Sequence, residues 1–517
     1  MTRTESAPLT TEMPLDRPAV PLSWARGSVD AMLADAARAY PARAAILGDG
    51  VEISYAELDA AATDWARTLH RVFDEPPGTV AVAQAPDPRF PAVYYGILRA
   101  GGTAAVVNPL LPDHVLAHVL RLSKARLAVV PSQVRERLLP LLDTLPDLKH
   151  VLVLGEDLAD DDGDWFPPAA PAEEDRAVML FTSGSTGVPK AVQLSHRNIK
   201  VNAAQMAAAH RIDSSSTVLL HLPIYHPMHM NTTVSVAATQ VVCTSSRPAE
   251  AIELANRTAA THYYTFPVRL LELAAEPELS SWRLDTVSLI ASGGTAVPPR
   301  VVRALADTFG LQLLQGYGMC ETSSLASLDV PDAPRAGSVG LPLDGSTIRI
   351  VDPGSGDVLP AGGIGEIRIH GPHVMQGYLG HDGPSPVDED GWLATGDMGY
   401  LDEDGYLYMF DRVKDAFRCG DELVSPTSVE RRLDAHPAVR DCAVVGGSDP
   451  VLGTSAVAFV ALHDGAEAGI LDSVLAEVNS ELTEGQRIRR AEVVATIPRL
   501  ATGKVARDEL RARLAGA

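Results

Sequence analysis

Apolar runs that end in glycine recur along the chain. GTVAVAQA is followed by FPAVYYGILRAGG and then TAAVVNP; RLAVVP is followed by the helically spaced VRERLLPLLDTL and then HVLVLG. Short apolar runs alternating with helical segments predict strand–helix–strand units and a mostly parallel α/β sheet. Three further runs, VMLFTSGSTG, VSLIASGGTA and LQLLQGYGMCE, end in small-residue loops. Ligands of open α/β sheets sit beyond the carboxyl ends of the strands, so these three loops are expected to face one crevice. After about Gly337 the pattern changes to short β segments with turns: STIRIVDP, GEIRIHG and GYLYMFD. After DRVKD a second small pattern begins. CAVVG, SAVAFVAL and AEVVATI read as strands, and GILDSVLAEVNSEL and VARDELRARL as helices. The expected fold class is therefore α/β: a large N-terminal domain of mostly parallel α/β sheets with a β-rich subdomain, then a small α+β C-terminal domain.

The segment FTSGSTGVPK, Phe181–Lys190, carries the first chemistry. It lies between a buried-strand pattern and an expected helix with Ser195 as its N-cap. Glycines let backbone N–H groups turn inward as an anion-binding nest. Thr182, Ser183, Ser185, Thr186 and the terminal Lys190 add donors and a cation. The Walker pattern is absent, because Lys190 follows a proline and precedes an alanine. The segment reads as a phosphate loop of another kind.

Length and charge narrow the classes. A chain of 517 residues exceeds one core. With 46% hydrophobic and 21% charged residues it is a globular composition, and a formal charge of −23 disfavours nucleic acid as a partner. The four cysteines (Cys243, Cys320, Cys419, Cys442) form no CxxC pair, so neither a disulfide scaffold nor a zinc site is indicated. No apolar run reaches the length of a membrane span and no signal core precedes the first domain, so a cytoplasmic protein is expected.

FTSGSTGVPKAVQLSH resembles the signature of the adenylate-forming superfamily, which includes acyl-CoA synthetases, peptide-synthetase adenylation domains and luciferases. HLPIYHPMHM, ASGGTAVP, QGYGMCET, GWLATGDMGYLDEDGYLYMFDRVKD and PRLATGKVARDEL match further family segments in the family's order. The resemblance implies ATP, Mg²⁺ and coenzyme A, and a reaction in which a carboxylate becomes an acyl-AMP before a thiol takes the acyl group. It implies a large domain over 1–411 with its β-rich part at 337–411, a hinge over 412–414 at Lys414, and a mobile lid domain over 415–517. The phosphate loop would comprise Thr182, Ser183, Gly184, Ser185, Thr186, Gly187 and Lys190. Gly293, Gly294, Thr295, Gly316, Tyr317, Gly318, Met319 and Cys320 would surround the nucleotide, with the Tyr317 ring on the adenine. Glu321 and Thr186 would hold Mg²⁺, and Asp397 and Arg412 would take the ribose. Lys504 would stabilise the transition state of adenylation. Gly420 and Cys419 would line the path of the pantetheine arm, with Cys419 itself read as packing.

His226 falls where the acyl-CoA branch keeps a residue near the carboxylate. The segment YHPMHMNTT has no aspartate to hold an amino-acid ammonium, and Met228, Met230 and Met319 would give an adaptable apolar wall. A hydrophobic carboxylic acid is the expected substrate. Three readings stay open: a coenzyme A ligase, an acyl-carrier-protein ligase, and a member that uses only preformed acyl-AMP. The last rests on two departures from the family, Cys320 for threonine and Ala191 for glycine. A homodimer is likewise left open.

Overall fold

The computed structural model describes residues 27–48, 50–73, 75–155, 168, 170–182, 188–381, 383–420, 422–463, 469–499 and 505–515. The chain divides into two compact units, one of 1–348, 369–393 and 404–407, the other of 349–368, 394–403 and 408–517.

The first unit holds two sheets built as the apolar runs require. In one, Leu313–Tyr317, Leu289–Gly293, His262–Thr265, Thr217–His221, Thr239–Val242 and Ala44–Gly48 lie parallel in that order. Antiparallel strands close its two edges: Ser327–Leu328 and Leu341–Pro342 on one side, Val51–Ser54 on the other. In the second sheet Arg176–Phe181, Thr103–Val107, Thr79–Ala83, Leu127–Val130 and His150–Val153 are parallel neighbours. Every residue of Thr79–Ala83 and Thr103–Val107 is buried. A parallel strand covered on both faces reads as an unbroken apolar run, which is why these strands stand out in the sequence.

Two expectations need correction here. The phosphate loop does not lead directly into a helix. The chain first returns as strand Ala191–Ser195, antiparallel to Arg176–Phe181, and only then enters helix His196–His210. AVQLS is short and begins two residues after Pro189, so its strand character is hidden in the sequence. The expected N-cap holds: the Ser195 hydroxyl accepts from the Asn198 backbone N–H at 3.1 Å, and the Asn198 side-chain Oδ1 accepts from the Ser195 N–H at 2.9 Å. The second correction concerns VRERLLPLLDTL, which is an α-helix only over Ser132–Leu138 and continues as a 3₁₀ turn, Leu139–Thr144, around Pro140.

The second unit holds most of a four-stranded sheet in the order Thr347–Val351, Gly365–His370, Leu393–Leu401, Leu407–Arg412. It also holds a three-stranded sheet in which Val439–Asp449 runs antiparallel to Gly453–Leu462, itself parallel to Ile488–Val493. The last strand starts earlier than AEVVATI suggested, because the exposed Arg489 and Arg490 mask it. Cys419, Val424, Leu433, Val444 and Val474 form a core beneath helices Pro426–Asp434 and Ile470–Ser480. Among the described residues no helix is long and apolar enough to cross a membrane.

Several histidines of the first unit are buried in neutral form. Burial pushes His221 and His226 down to about 4 and His373 to about 3. An unfolded imidazole titrates near about 6.5, so the unfolded chain binds more protons below that pH. Stability from these groups is complete above about pH 6.5 and is lost as the pH falls towards 4. Asp329, pushed up to about 7 by burial, acts with the opposite sign: its contribution is present in acid and fades as pH rises. The Tm of His373→Asn should therefore fall less than that of the wild type between pH 6.5 and 4, as thermal melts across this range will read.

Candidate active site

The strand ends of the first unit carry the candidate residues. Gly293 and Gly316 are register partners at the carboxyl ends of neighbouring parallel strands, and Gly294 and Thr295 follow as an exposed turn. Tyr317 ends its strand and is buried, and its hydroxyl lies 3.9 Å from the Met319 sulfur. Gly318 is needed by the chain itself. A Cβ there would stand 2.1 Å from the Ser324 carbonyl oxygen, so the close approach is that of the following turn. Met319, Cys320 and Glu321 enter a 3₁₀ turn, Cys320–Thr322, held by the Thr322 hydroxyl, which accepts from the Met319 N–H at 3.1 Å.

The phosphate-loop strand lies in the other sheet, yet the loops meet. The Cys320 thiol donates to the Phe181 carbonyl at 3.7 Å, which ties the 3₁₀ turn to the strand that enters the phosphate loop. Thr182 and Lys190 pair across the loop's neck: the Thr182 N–H donates to the Lys190 carbonyl at 3.0 Å, and the Lys190 N–H to the Thr182 hydroxyl at 3.2 Å. Ser183, Gly184, Ser185, Thr186 and Gly187 lie outside the described residues, as does Lys504. Burial, reinforced by the neighbouring Glu321 charge, pushes the Cys320 thiol up to about 12. It therefore stays protonated at neutral pH and serves as a weak donor, not as a nucleophile.

Glu321 is 5% exposed, and its Oε1 accepts the Tyr378 hydroxyl at 2.6 Å. Burial first, and then the Glu321 charge, hold the Tyr378 phenol well above its usual range, so it remains a donor. The Lys190 ammonium stands 4.6 Å from the centre of the Tyr378 ring. Tyr378 thus joins the metal candidate to the phosphate-loop cation. Sequence reasoning passed over it, although a signal was present: QGY occurs twice, at Gln315–Tyr317 and again at Gln376–Tyr378. The second copy forms the short strand Gly377–Tyr378, paired with Ala191–Ser195.

Among the described residues no group of three or more His, Cys, Asp or Glu side chains gathers to hold a metal. Mg²⁺ retains several waters and is usually held by one or two carboxylates together with substrate phosphates. A carboxylate has about four lone-pair sites, and Tyr378 takes one of those on Glu321, so the donor set fits that mode of binding.

His226 is the N-cap of helix Pro227–Ser235, and its buried Nδ1 has no hydrogen-bond partner among the described residues. Its ring lies 5.6 Å from that of His229, which in turn lies 4.6 Å from Tyr264. Met228 is half-buried and Met230 fully buried on the same helix.

In the second unit the Arg412 guanidinium pairs with Asp397 at 3.1 Å, the carboxylate buried and the arginine partly exposed. Lys414 lies in the turn after strand Leu407–Arg412, and its carbonyl accepts from Arg511 at 3.4 Å. Gly420 has φ +59 at the tip of the hairpin Phe417–Cys419 and Glu422–Val424, and a Cβ there would meet nothing within 4 Å. Backbone conformation, more than clearance, calls for glycine at this point. Cys419 is buried in the core, and burial raises its pKa. Arg499 and Arg507, which flank Lys504 in the sequence, are neutralised by carboxylates. Arg499 pairs with Asp441 at 2.7 Å, and Arg507 with Glu430 at 3.0 Å and with Asp411 at 3.6 Å.

Comparison with known proteins is consistent across the chain. Residues 33–379 match the family model of the AMP-binding enzyme, and residues 428–504 that of the AMP-binding enzyme C-terminal domain. A long-chain-fatty-acid–CoA ligase of Bacillus subtilis (strain 168) is 28% identical, covering 93% of this chain and 94% of its own. A feruloyl-CoA synthase of Amycolatopsis sp is 29% identical, covering 92% and 97%. The ATP-bound crystal structure of MatB from Rhodopseudomonas palustris superposes with a TM-score of 0.82 at 26% identity, over 94% of this chain and 98% of that one. The chain belongs to the AMP-binding enzyme family, in the coenzyme A ligase branch of the adenylate-forming superfamily. It is an AMP-forming acid–CoA ligase.

Tyr378→Phe keeps the ring beneath Lys190 and removes the donor to Glu321. A hydrogen bond to a charged group contributes about 1.5–3 kcal/mol, so the variant should need roughly tenfold or more Mg²⁺ for half-maximal pyrophosphate exchange. Calorimetric titration of the MgATP complex should show the same weakening, and an unchanged Mg²⁺ dependence would remove Tyr378 from this role.

Proposed function

We propose that this chain activates a hydrophobic carboxylic acid as its acyl adenylate and passes the acyl group to coenzyme A. In the first half-reaction a carboxylate oxygen attacks the α-phosphorus of ATP, and the bond to pyrophosphate breaks. In the second, the thiol sulfur attacks the acyl carbonyl, and the bond to AMP breaks. The observation that carries this reading is the Lys190–Tyr378–Glu321 cluster at the neck of the phosphate loop, a buried carboxylate beside a cation at strand ends. Glu321 and Thr186 would hold Mg²⁺, which would neutralise phosphate charge during adenylation. Tyr317 would offer its ring to the adenine, with Gly293, Gly294, Thr295 and Gly316 beside the nucleotide. Asp397 and Arg412 would contact the ribose, the carboxylate accepting from its two hydroxyls. His226, neutral at physiological pH, would face the substrate carboxyl without adding a charge. Gly420 would leave room for the pantetheine arm, and Lys414 would be the hinge of the small lid domain.

The hydrophobic substrate class is supported by the absence of any acidic residue in YHPMHMNTT and by the relatives named for a long-chain fatty acid and for ferulate. The partly exposed methionine at 228 suits an apolar acid. A carrier-protein pantetheine is the alternative acceptor, and whichever thiol accelerates AMP release decides between the two.

Lys504 would supply positive charge to the α-phosphate as charge develops there. Lys504→Ala should lower acyl-AMP formation by roughly 10²-fold or more, the scale of losing one electrostatic stabiliser. It should leave thioester formation from supplied acyl-AMP intact; equal loss of both half-reactions would refute the role. Asp397→Ala should raise the apparent KM for ATP and leave that for the acid unchanged, as initial-rate kinetics will show.

A further inference from the structure

The peptide that joins Pro189 to Lys190 is held from both sides. A trans peptide directs its N–H and its carbonyl oppositely. The Lys190 N–H goes to the Thr182 hydroxyl at 3.2 Å, across the neck of the phosphate loop. The Pro189 carbonyl therefore faces away from that neck, and it meets His118 Nε2 at 3.1 Å. A carbonyl oxygen only accepts, so this ring nitrogen carries the proton. The neutral imidazole of that tautomer and the imidazolium both meet the requirement, so the bond does not depend on the charge of the ring.

The helix that carries His118 is a rigid mount. Over Asp113–Ser123 it buries Leu116, Ala117, Val119 and Leu120 in the same core as Met179, on the strand that enters the loop, and Ala191, on the strand that leaves it. Its first turn is fixed by Arg137, whose Nε pairs with Asp113 at 2.8 Å and whose guanidinium also donates to the Pro109 carbonyl at 2.8 Å. Pro189 is buried and Lys190 half-buried. The two main-chain bonds of Lys190 with Thr182 hold the limbs of the loop to each other. The bond from His118 holds them to this helix. The Lys190 side chain leaves the backbone at the point so fixed, and its ammonium stands 4.6 Å from the centre of the Tyr378 ring.

We propose that His118 is a positioning residue for adenylation: it fixes the Pro189–Lys190 peptide, and thereby the place from which the Lys190 ammonium meets the phosphates of ATP. This rests on the ligase reading given above, in which Lys190 belongs to the phosphate loop. In this role His118 touches neither substrate nor metal. Removing its N–H leaves the Pro189 carbonyl without that donor and frees the limb that carries the cation. A charge that is needed in one place loses its effect when its support is loose. The loss falls on the half-reaction that uses ATP and spares thioester formation.

The test compares His118→Leu, His118→Asn and His118→Gln in the full-length protein. The glutamine amide can present an N–H where Nε2 stood, whereas the asparagine amide is one methylene short. His118→Leu and His118→Asn should lower kcat/KM for ATP in pyrophosphate exchange by about tenfold, and His118→Gln should recover it to within about threefold of the wild type. Thioester formation from supplied acyl-AMP should change by about twofold or less in all of them, and in a Lys190→Ala background His118→Leu should weaken calorimetric MgATP affinity by no more than about twofold further, because both changes act through one cation. Unchanged ATP kinetics in the first two variants overturns the proposal. So does a glutamine variant as impaired as the leucine one, an equal loss of both half-reactions, as a merely structural role gives, or full additivity with Lys190→Ala. If His118→Leu does not fold, the asparagine and glutamine pair decides. If no acid supports exchange, the ligase reading fails, and MgATP affinity then decides on His118: weakened by leucine and asparagine and recovered by glutamine it stands, and equal in all of them it falls.

Discussion

A carboxylate taken out of water must find partners, and the placement of Glu321 in the first unit follows from that constraint. Its oxygen takes the Tyr378 hydroxyl, and its backbone carbonyl accepts the Met375 N–H at 2.8 Å, so the segment around residue 376 is drawn against the 3₁₀ turn. That segment then pairs with Ala191–Ser195, the strand by which the phosphate loop returns to its sheet. Next to Glu321, Cys320 reaches the Phe181 carbonyl on the other side of the same loop. Strands and turns of the two sheets are thereby linked at the neck of this loop.

The parts of this arrangement that the sequence reveals are those set by burial alone. Strands covered on both faces, such as Thr79–Ala83, announce themselves as apolar runs, and the glycine-rich loops at their ends mark where chemistry belongs. Ser195 was legible as a cap because capping is a local affair of four residues. What escaped depends on partners far along the chain. Arg499 and Arg507 look like free cations until Asp441, Glu430 and Asp411 fold against them. Tyr378 has no periodic signal, since its strand is two residues long and its partner lies 57 positions away. The strand Ala191–Ser195 was masked by its shortness and by Pro189 two residues upstream, and the 3₁₀ continuation at Leu139–Thr144 by the expectation of a regular helix.

The departures from the family pattern acquire a physical meaning. Cys320 replaces a hydroxyl with a weaker donor, but its proton is already committed to the Phe181 carbonyl, and its high pKa keeps it there. Its evident task is to hold two loops together, and any contribution to a phosphate oxygen would compete with that bond. Ala191 begins the return strand opposite Phe181 and is fully buried, so its methyl group fills space in the sheet's interior where glycine would leave a gap.

The amides of Asn198, Asn202 and Gln205 on helix His196–His210 fasten segments near residues 325, 344 and 372–374 by their main-chain carbonyls. A carbonyl is the same whatever side chain its residue bears. Those fastened segments can accordingly exchange side chains over evolutionary time, retuning what they present, without surrendering their moorings. The helix bears the opposite burden: a shift of one position along it would rotate all three amides away together, so variation should gather in the moored loops and spare the mooring face.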